Sequence, residues 1–278
     1  MITFGCHTWS FPDLTLTEAL GTIARLGFRY ADIGSGQGVN LAQAAQQPRA
    51  IATDIKNDLA LYNLALRDFY LMLPRISLAD DDRREREIDT FVSLLPFMQA
   101  LGVPGVTISP GVSHNLTEDP AAQARTLDSL RRMTAAAQTV GIALSFTPHV
   151  DSMATTPDAV RGLLQGVEGL GLTLDWASLS YYGAKYNDIA ALITRCRHMQ
   201  MRGAGRGQLQ MTSEKSKFDL RLAVEDSVIA NYDGTISLLL IQAAGRHKTA
   251  KVNAIAEISA LRALLRQARD ETLAKRQA

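Results

Sequence analysis

The sequence predicts an α/β fold closed into an eight-fold barrel, and three observations carry that prediction. Short apolar runs rich in β-branched residues alternate with longer amphipathic stretches from one end of the chain to the other, the pattern of repeated strand–helix units around a parallel sheet. No Pro- or Ser-rich linker interrupts the 278 residues, about the length of one such barrel with its helices. No G-x-G-x-x-G follows the first apolar run, which disfavours an open doubly wound sheet built to hold a dinucleotide.

The first strand is read at Ile2 to His7. Thr15 to Leu26 then places Leu16, Ala19, Leu20, Ile23, Ala24 and Leu26 at helical spacing, with Thr15 or Thr17 as the cap and Gly27 as the stop. A second strand, Phe28 to Ile33, precedes a mostly helical Leu41 to Leu61 that contains Pro48, and Leu64 to Tyr70 is the third strand, the weakest in pattern. Arg83 to Leu101 starts charged, turns apolar, contains Pro96 as a source of kinking and ends at Gly102. The run Asp80 to Glu87 reads as its solvated start.

In the second half, Gly105 to Ser109, Pro120 to Val140 and Ile142 to Thr147 form one right-handed crossover. Pro157 to Val167 is a helix with Pro157 in the first turn, where a missing N–H is harmless. Leu170 to Leu174 is the sixth strand, and Asn187 to Cys196 reads as a helix running into a strand around His198 to Arg202. Asp219 to Ala230, Gly234 to Ile241 and the amphipathic Lys251 to Thr272 complete eight strand–helix pairs. Residues 1–278 are therefore expected to form a single (β/α)8 TIM-barrel domain.

Composition narrows the function. With 29 Lys+Arg against 28 Asp+Glu and a formal net charge of +1, neither a nucleic-acid groove nor a polybasic membrane surface is expected. No run approaches the roughly 18 apolar residues of a membrane span. The start Met1-Ile2-Thr3-Phe4-Gly5 has no basic stretch of a secretory signal. Cys6 and Cys196 are far apart and match no metal or redox spacing, so two reduced thiols and a cytoplasmic location are expected.

Barrels of this kind carry their sites at the C-terminal ends of the strands. The polar residues there are His7, Asp32, Asp68, Ser109, Thr147 with His149, Asp175, and His198-x-Gln200-x-Arg202. Strand alternation puts His198, Gln200 and Arg202 on one face, and likewise Thr147 and His149. Such a cluster inside a barrel mouth requires partners or a ligand, because unsatisfied buried polar groups are costly.

Six segments, among them LTLTEALGTIARLGFRYADIG, LGVPGVTISPG, AAAQTVGIALSFTPHVDSMATTPDAVRGLL and GLGLTLDWASLSYYG, followed by RHMQMRGAGRGQLQ and NYDGTISLLLI, resemble the sugar phosphate isomerase/epimerase family of xylose-isomerase-like TIM barrels. They occur in that family's order over nearly the whole chain. The resemblance implies a divalent cation such as Mn²⁺, Mg²⁺, Co²⁺ or Zn²⁺ held by a Glu ending strand five, an Asp ending strand six, a His in strand seven and a Glu ending strand eight. It also implies proton transfer between adjacent sugar carbons while the metal polarises the oxygens.

Carried over residue by residue, those four positions fall on Thr147, Asp175, Gln200 and Leu239. No acidic residue or His lies in Gly234 to Ala244, and no Glu lies between Ile142 and Thr155. His198 is two residues before the expected position, about 6–7 Å deeper along the strand. With three of four ligands replaced, no divalent cation or other cofactor is expected. A His that relatives carry three residues after the sixth-strand Asp falls on Ser178, whereas His7, Trp9, His149, Asp175, Arg202 and Gln210 stand where relatives hold substrate-facing groups.

Each candidate has a plain alternative. Asp175 is either a paired structural carboxylate or a general base and hydroxyl anchor; His149 is either a loop histidine or the acid/base partner of Asp175. His7 is a satisfied strand-end histidine or a substrate contact, and His198 is interior packing with its ring hydrogen-bonded. Arg202 forms a salt bridge to Asp175 or Asp219, or meets a ligand's oxygens beside Gln200 and Thr147. Trp9 is core or a platform for a sugar ring. Gly203 to Gly207 reads as a mobile loop in preference to a phosphate cradle, and Leu238 to Leu240 as partly core.

Three functions follow. In the first, the chain is a family member without the metal site that binds a carbohydrate or polyol, or works as a non-catalytic subunit in a homo-oligomer or beside an active homologue. In the second it is a metal-independent sugar or polyol isomerase, epimerase or lyase using Asp175 and His149. In the third a metal site is rebuilt from His7, His149, His198 and Asp175.

Overall fold

The computed structural model describes residues 1–241 and 245–277. The first half runs β1 (Thr3–His7), α1 (Leu16–Arg25), β2 (Tyr30–Gly34), α2 (Leu41–Gln46), α3 (Pro48–Leu61), β3 (Ala65–Leu71) and α4 (Asp81–Leu101). Next come β4 (Gly105–Ile108), α5 (Ala122–Thr139), β5 (Ala143–Phe146), α6 (Pro157–Gly166), β6 (Gly171–Asp175), α7 (Trp176–Tyr181) and α8 (Tyr186–Ala190). The chain ends with β7 (Cys196–Met201), β8 (Gly203–Gly205), β9 (Gln208–Met211), α9 (Leu220–Ile229), β10 (Thr235–Leu238) and α10 (Ala254–Gln277). Eight parallel strands close in the order β1-β10-β7-β6-β5-β4-β3-β2, while β8 and β9 form a separate antiparallel hairpin. Among the described residues no helix is long and apolar enough to cross a membrane.

Local chemistry explains most boundaries. Thr15 and Glu18 form a reciprocal capping box at the start of α1, which satisfies two otherwise orphaned N–H groups. Asp80 caps α4, which runs through Pro96 and stops at Gly102 with φ of 71°, a left-handed value that glycine adopts without steric cost.

The structure departs from the sequence-based elements in several places, one being the helix α7 that follows β6 at once. The stretch expected as one helix over Leu41 to Leu61 divides at Gln47, because Pro48 opens a new helix at its first position. The helix expected over Asn187 to Cys196 is present only at its start: α8 ends at Ala190, a 3-10 turn follows at Ile193–Arg195, and β7 starts at Cys196. Gly203 to Gly207, read as a loop, belongs to the β8–β9 hairpin, in which Gly205 pairs with Gln208 across a turn containing Gly207 at φ 70°. The final strand ends at Leu238, short of Ile241.

The strands direct alternate residues to opposite sides. Phe69, for example, packs edge-on against Phe97 of α4, so Asp68 and Tyr70 on either side of it face inward. A register shift between β6 and β7 places two residues of β7, Arg197 and His198, where β6 has one step from Leu172 to Thr173. This is the local geometry of a β-bulge, and both side chains reach buried partners. The Arg197 guanidinium meets the fully buried Asp68 carboxylate and the hydroxyls of Thr107, Ser145 and Thr173. His198 Nε2 lies 2.7 Å from Asp32 Oδ2. Burial pushes the Asp32 carboxyl up, but His198, His7 and Ser237 outweigh it and hold the group below its ordinary range.

Removing the cation from this lower pair tests how the barrel interior is held. Arg197→Met should reduce stability by about 3–5 kcal/mol, because Asp68 is left as an uncompensated buried charge. Chemical denaturation should show most of that recovered in Arg197→Met/Asp68→Asn; no recovery would mean that the pair does not act as a unit.

Candidate functional site

At the C-terminal ends of the strands the barrel opens into a cavity of about 560 Å³. Strand β6 passes directly into α7, with Asp175 as the N-cap. Its Oδ1 accepts from Ser178 N at 3.1 Å, and its Oδ2 accepts from Ser178 Oγ at 2.9 Å and from Arg202 Nη1 at 3.0 Å. Arg202 is fully buried, and its Nε donates to the Leu209 carbonyl of β9 at 3.1 Å. Of the two salt bridges weighed for Arg202, the one to Asp175 is formed.

Gln200 is the register partner of Asp175 across β6 and β7. It is 1% exposed, and its Nε2 has no hydrogen-bond partner. Thr147 follows β5, and its hydroxyl reaches only the Pro148 carbonyl, at 3.4 Å. His149 has both ring nitrogens engaged: Nδ1 donates to the Val150 carbonyl at 2.8 Å, and Nε2 lies 2.7 Å from Ser109 Oγ. A carbonyl only accepts, so the ring proton sits on Nδ1 and Nε2 accepts from the serine hydroxyl. Burial holds the His149 pKa below its ordinary value, consistent with a neutral ring.

An aromatic group stands across the mouth. Trp9 lies 4.8 Å from both His7 and Tyr70, centroid to centroid. His7 Nδ1 accepts from Trp9 N at 3.0 Å, and burial brings its pKa down to about 4. Burial, then the nearby Asp175, pushes the Tyr70 phenol up. Gly34, at the end of β2, lies against the Trp9 indole so closely that no Cβ fits there.

Eight of the residues named from the sequence line this one cavity: Trp9, Thr147, His149, Asp175, Ser178, Gln200, Leu239 and Leu240, the last read as partly core. The four positions carried over from the family's metal site are thus brought together. Three others are not on its wall. His7 stands against Trp9, and Arg202 is bonded to Asp175. Gln210 accepts from Ile241 N at 2.6 Å and donates to the Ala250 carbonyl at 3.2 Å, tying the segment after β10 to the hairpin.

Sequence reasoning did not single out Tyr70, Met72, Leu209 and Ile241 as cavity residues, nor Pro12 and Val150. Tyr70 had a signal: it lies two residues beyond Asp68, on the same face of a strand that continues to Leu71. The rebuilt metal site does not assemble. Among the described residues no group of three or more His, Cys, Asp or Glu is placed to share an ion; His198 is paired with Asp32 and His149 with Ser109.

A family model described as xylose isomerase-like TIM barrel matches residues 20–240. Solved structures share the fold at low identity. An L-ribulose 3-epimerase is 14% identical with a TM-score of 0.76, covering 100% of this chain and 97% of its own. A 3-keto-D-glucoside 4-epimerase from E. coli is 13% identical with a TM-score of 0.74, covering 96% and 100%. A probable 3-DHS dehydratase from Bacillus anthracis is 15% identical with a TM-score of 0.74, covering 95% and 98%. No curated protein matches the sequence.

The depressed His7 pKa has a stability consequence. The unfolded chain takes up a proton near pH 6.5, whereas folded His7 does so only near pH 4. Its contribution is therefore fully present above pH 6.5 and disappears as pH falls through that window, a change of roughly 3 kcal/mol. His149 acts in the same direction. Denaturation between pH 7 and 4 should show a smaller decline in His7→Asn than in the parent; equal declines would place the titration elsewhere.

Proposed function

The chain belongs to the xylose isomerase-like TIM barrel family, and on that premise we propose that its barrel mouth binds a small hydroxylated, carbohydrate-like molecule without the help of a divalent cation. The observation that carries this reading is the state of Asp175. It is the one anionic group among Thr147, Asp175, Gln200 and Leu239, and its charge is already answered by the buried guanidinium of Arg202. Divalent cations such as Mn²⁺, Mg²⁺, Co²⁺ and Zn²⁺ take about four to six donors, of which the protein usually supplies several as carboxylates or imidazoles. Here a cation would meet one carboxylate already accepting three hydrogen bonds, one hydroxyl, one amide and one alkyl chain. That donor set does not fit the cation.

What these groups can do is bind and orient. A carboxylate has about four acceptor positions, so Asp175 retains one for a ligand hydroxyl. The Gln200 amide supplies a donor that has no other partner, and Thr147 adds a hydroxyl. Trp9 offers a ring face for the C–H side of a cyclic ligand. The low-pKa, neutral imidazole of His149 is engaged by Ser109 and Val150, which favours a role in shaping the wall.

One observation favours a second reading. Asp175 and His149 line the same cavity, so a metal-independent isomerase, epimerase or lyase remains chemically open if ligand binding draws His149 Nε2 from Ser109 toward the substrate. Turnover abolished in both Asp175→Asn and His149→Gln would support it.

The test of the main reading is metal content together with metal response. Protein purified without chelator should carry no stoichiometric cation, and Mn²⁺ or Zn²⁺ should leave the thermal midpoint unmoved. A stoichiometric ion that disappears in Asp175→Asn would overturn the reading. Arg202→Met should destabilise the fold by about 3–5 kcal/mol, because Asp175 is then buried without its counter-charge.

A further inference from the structure

We propose that the ligand of this mouth is a hydroxylated ring bearing an apolar substituent of aryl or short alkyl size, as in an aryl glycoside. The inference rests on the reading above and assigns the two parts of the ligand to two halves of the barrel.

The closed strand order divides the mouth. Thr147, Asp175 and Gln200 follow or end β5, β6 and β7, which are consecutive in the barrel. The other half, from β10 through β1 to β3, carries Leu239, Ile241 and Met72, with the Trp9 ring and the Tyr70 phenol between them. The polar groups of the first half are few once their internal bonds are counted. Both nitrogens of His149 are engaged, and Asp175 already accepts three hydrogen bonds. One acceptor position on Asp175, the unpartnered Gln200 amide and the Thr147 hydroxyl remain.

That complement, with the Tyr70 hydroxyl opposite, satisfies about three or four substituents and leaves the Leu239 and Ile241 wall without a polar group. It cannot serve a free polyol that fills the cavity, because hydroxyls turned toward Leu239 and Ile241 would lose water and gain no partner. An aryl or alkyl group in the same place buries apolar surface against apolar surface. The cavity of about 560 Å³ lies within the range of about 300–1,000 Å³ typical of drug-sized ligands, with room for both parts. The Gln200 Nε2, buried and without a protein partner, needs an acceptor such as a ring or glycosidic oxygen.

Calorimetric titration of the full chain with nitrophenyl glucoside, galactoside and xyloside, their parent sugars and free nitrophenol tests the assignment. At least one glycoside should bind about tenfold or more tightly than its parent sugar, a difference of about 1.4 kcal/mol. Leu239→Gln and the rim variant Met72→Gln should narrow that gap, and Gln200→Leu should weaken glycoside and parent sugar together. Met72 is exposed, so its effect is separable from misfolding when the thermal midpoint is unchanged. Parent sugars binding as tightly as glycosides would overturn this inference and leave the proposed function standing. Nitrophenol binding as tightly as the glycosides, or no member of the panel binding, would overturn both.

Discussion

A carboxylate buried away from water must be paired or hydrogen-bonded, and strand β7 with the residue just beyond it supplies the partner to three. Arg197, His198 and Arg202 pair with Asp68, Asp32 and Asp175, drawn from β3, β2 and β6. The barrel interior at these levels is filled by hydroxyls, carboxylates and cations in place of the branched alkyl layers common in such barrels. In the uppermost pair the Asp175 carboxylate at the mouth is backed by the buried Arg202 guanidinium.

The fold was legible because its signals are redundant. Eight alternations of apolar run and amphipathic stretch, stops at Gly27, Gly102 and Gly141, and the cap at Thr15 all point to the same architecture. The boundaries that differed are ones where a local backbone rule competes with periodicity. Pro48 splits a helix whose hydrophobic spacing runs straight through it. Asp175 starts a helix at once, because its carboxylate caps Ser178 N.

The site was legible in part. Of the polar strand ends read from sequence, His7, Asp32, Asp68 and His198 sit one inward-facing step below the mouth, and His198 is the hydrogen-bonded interior residue it was read as. Two positions further along, Trp9, Tyr70 and Gln200 line the cavity itself, and of these only Tyr70 was not a candidate. A period of two carries no information about which step is the last, and the extra residue at the β7 bulge shifts the count again. The apolar wall was hidden for a different reason: Leu239 to Ile241 resemble core in composition, and only the strand's end at Leu238 turns them toward the opening.

The β8–β9 hairpin links features that sequence distance keeps apart. The Leu209 carbonyl holds Arg202, the Leu209 side chain lines the cavity, and Gln210 clamps the backbone at Ile241 and Ala250. These neighbouring residues thus couple the charge state behind Asp175 to the placement of the alkyl wall on the other side. The turn between β8 and β9, with Gly207 at φ 70°, is therefore constrained in length as well as in backbone conformation, because one added residue would slide both grips at once.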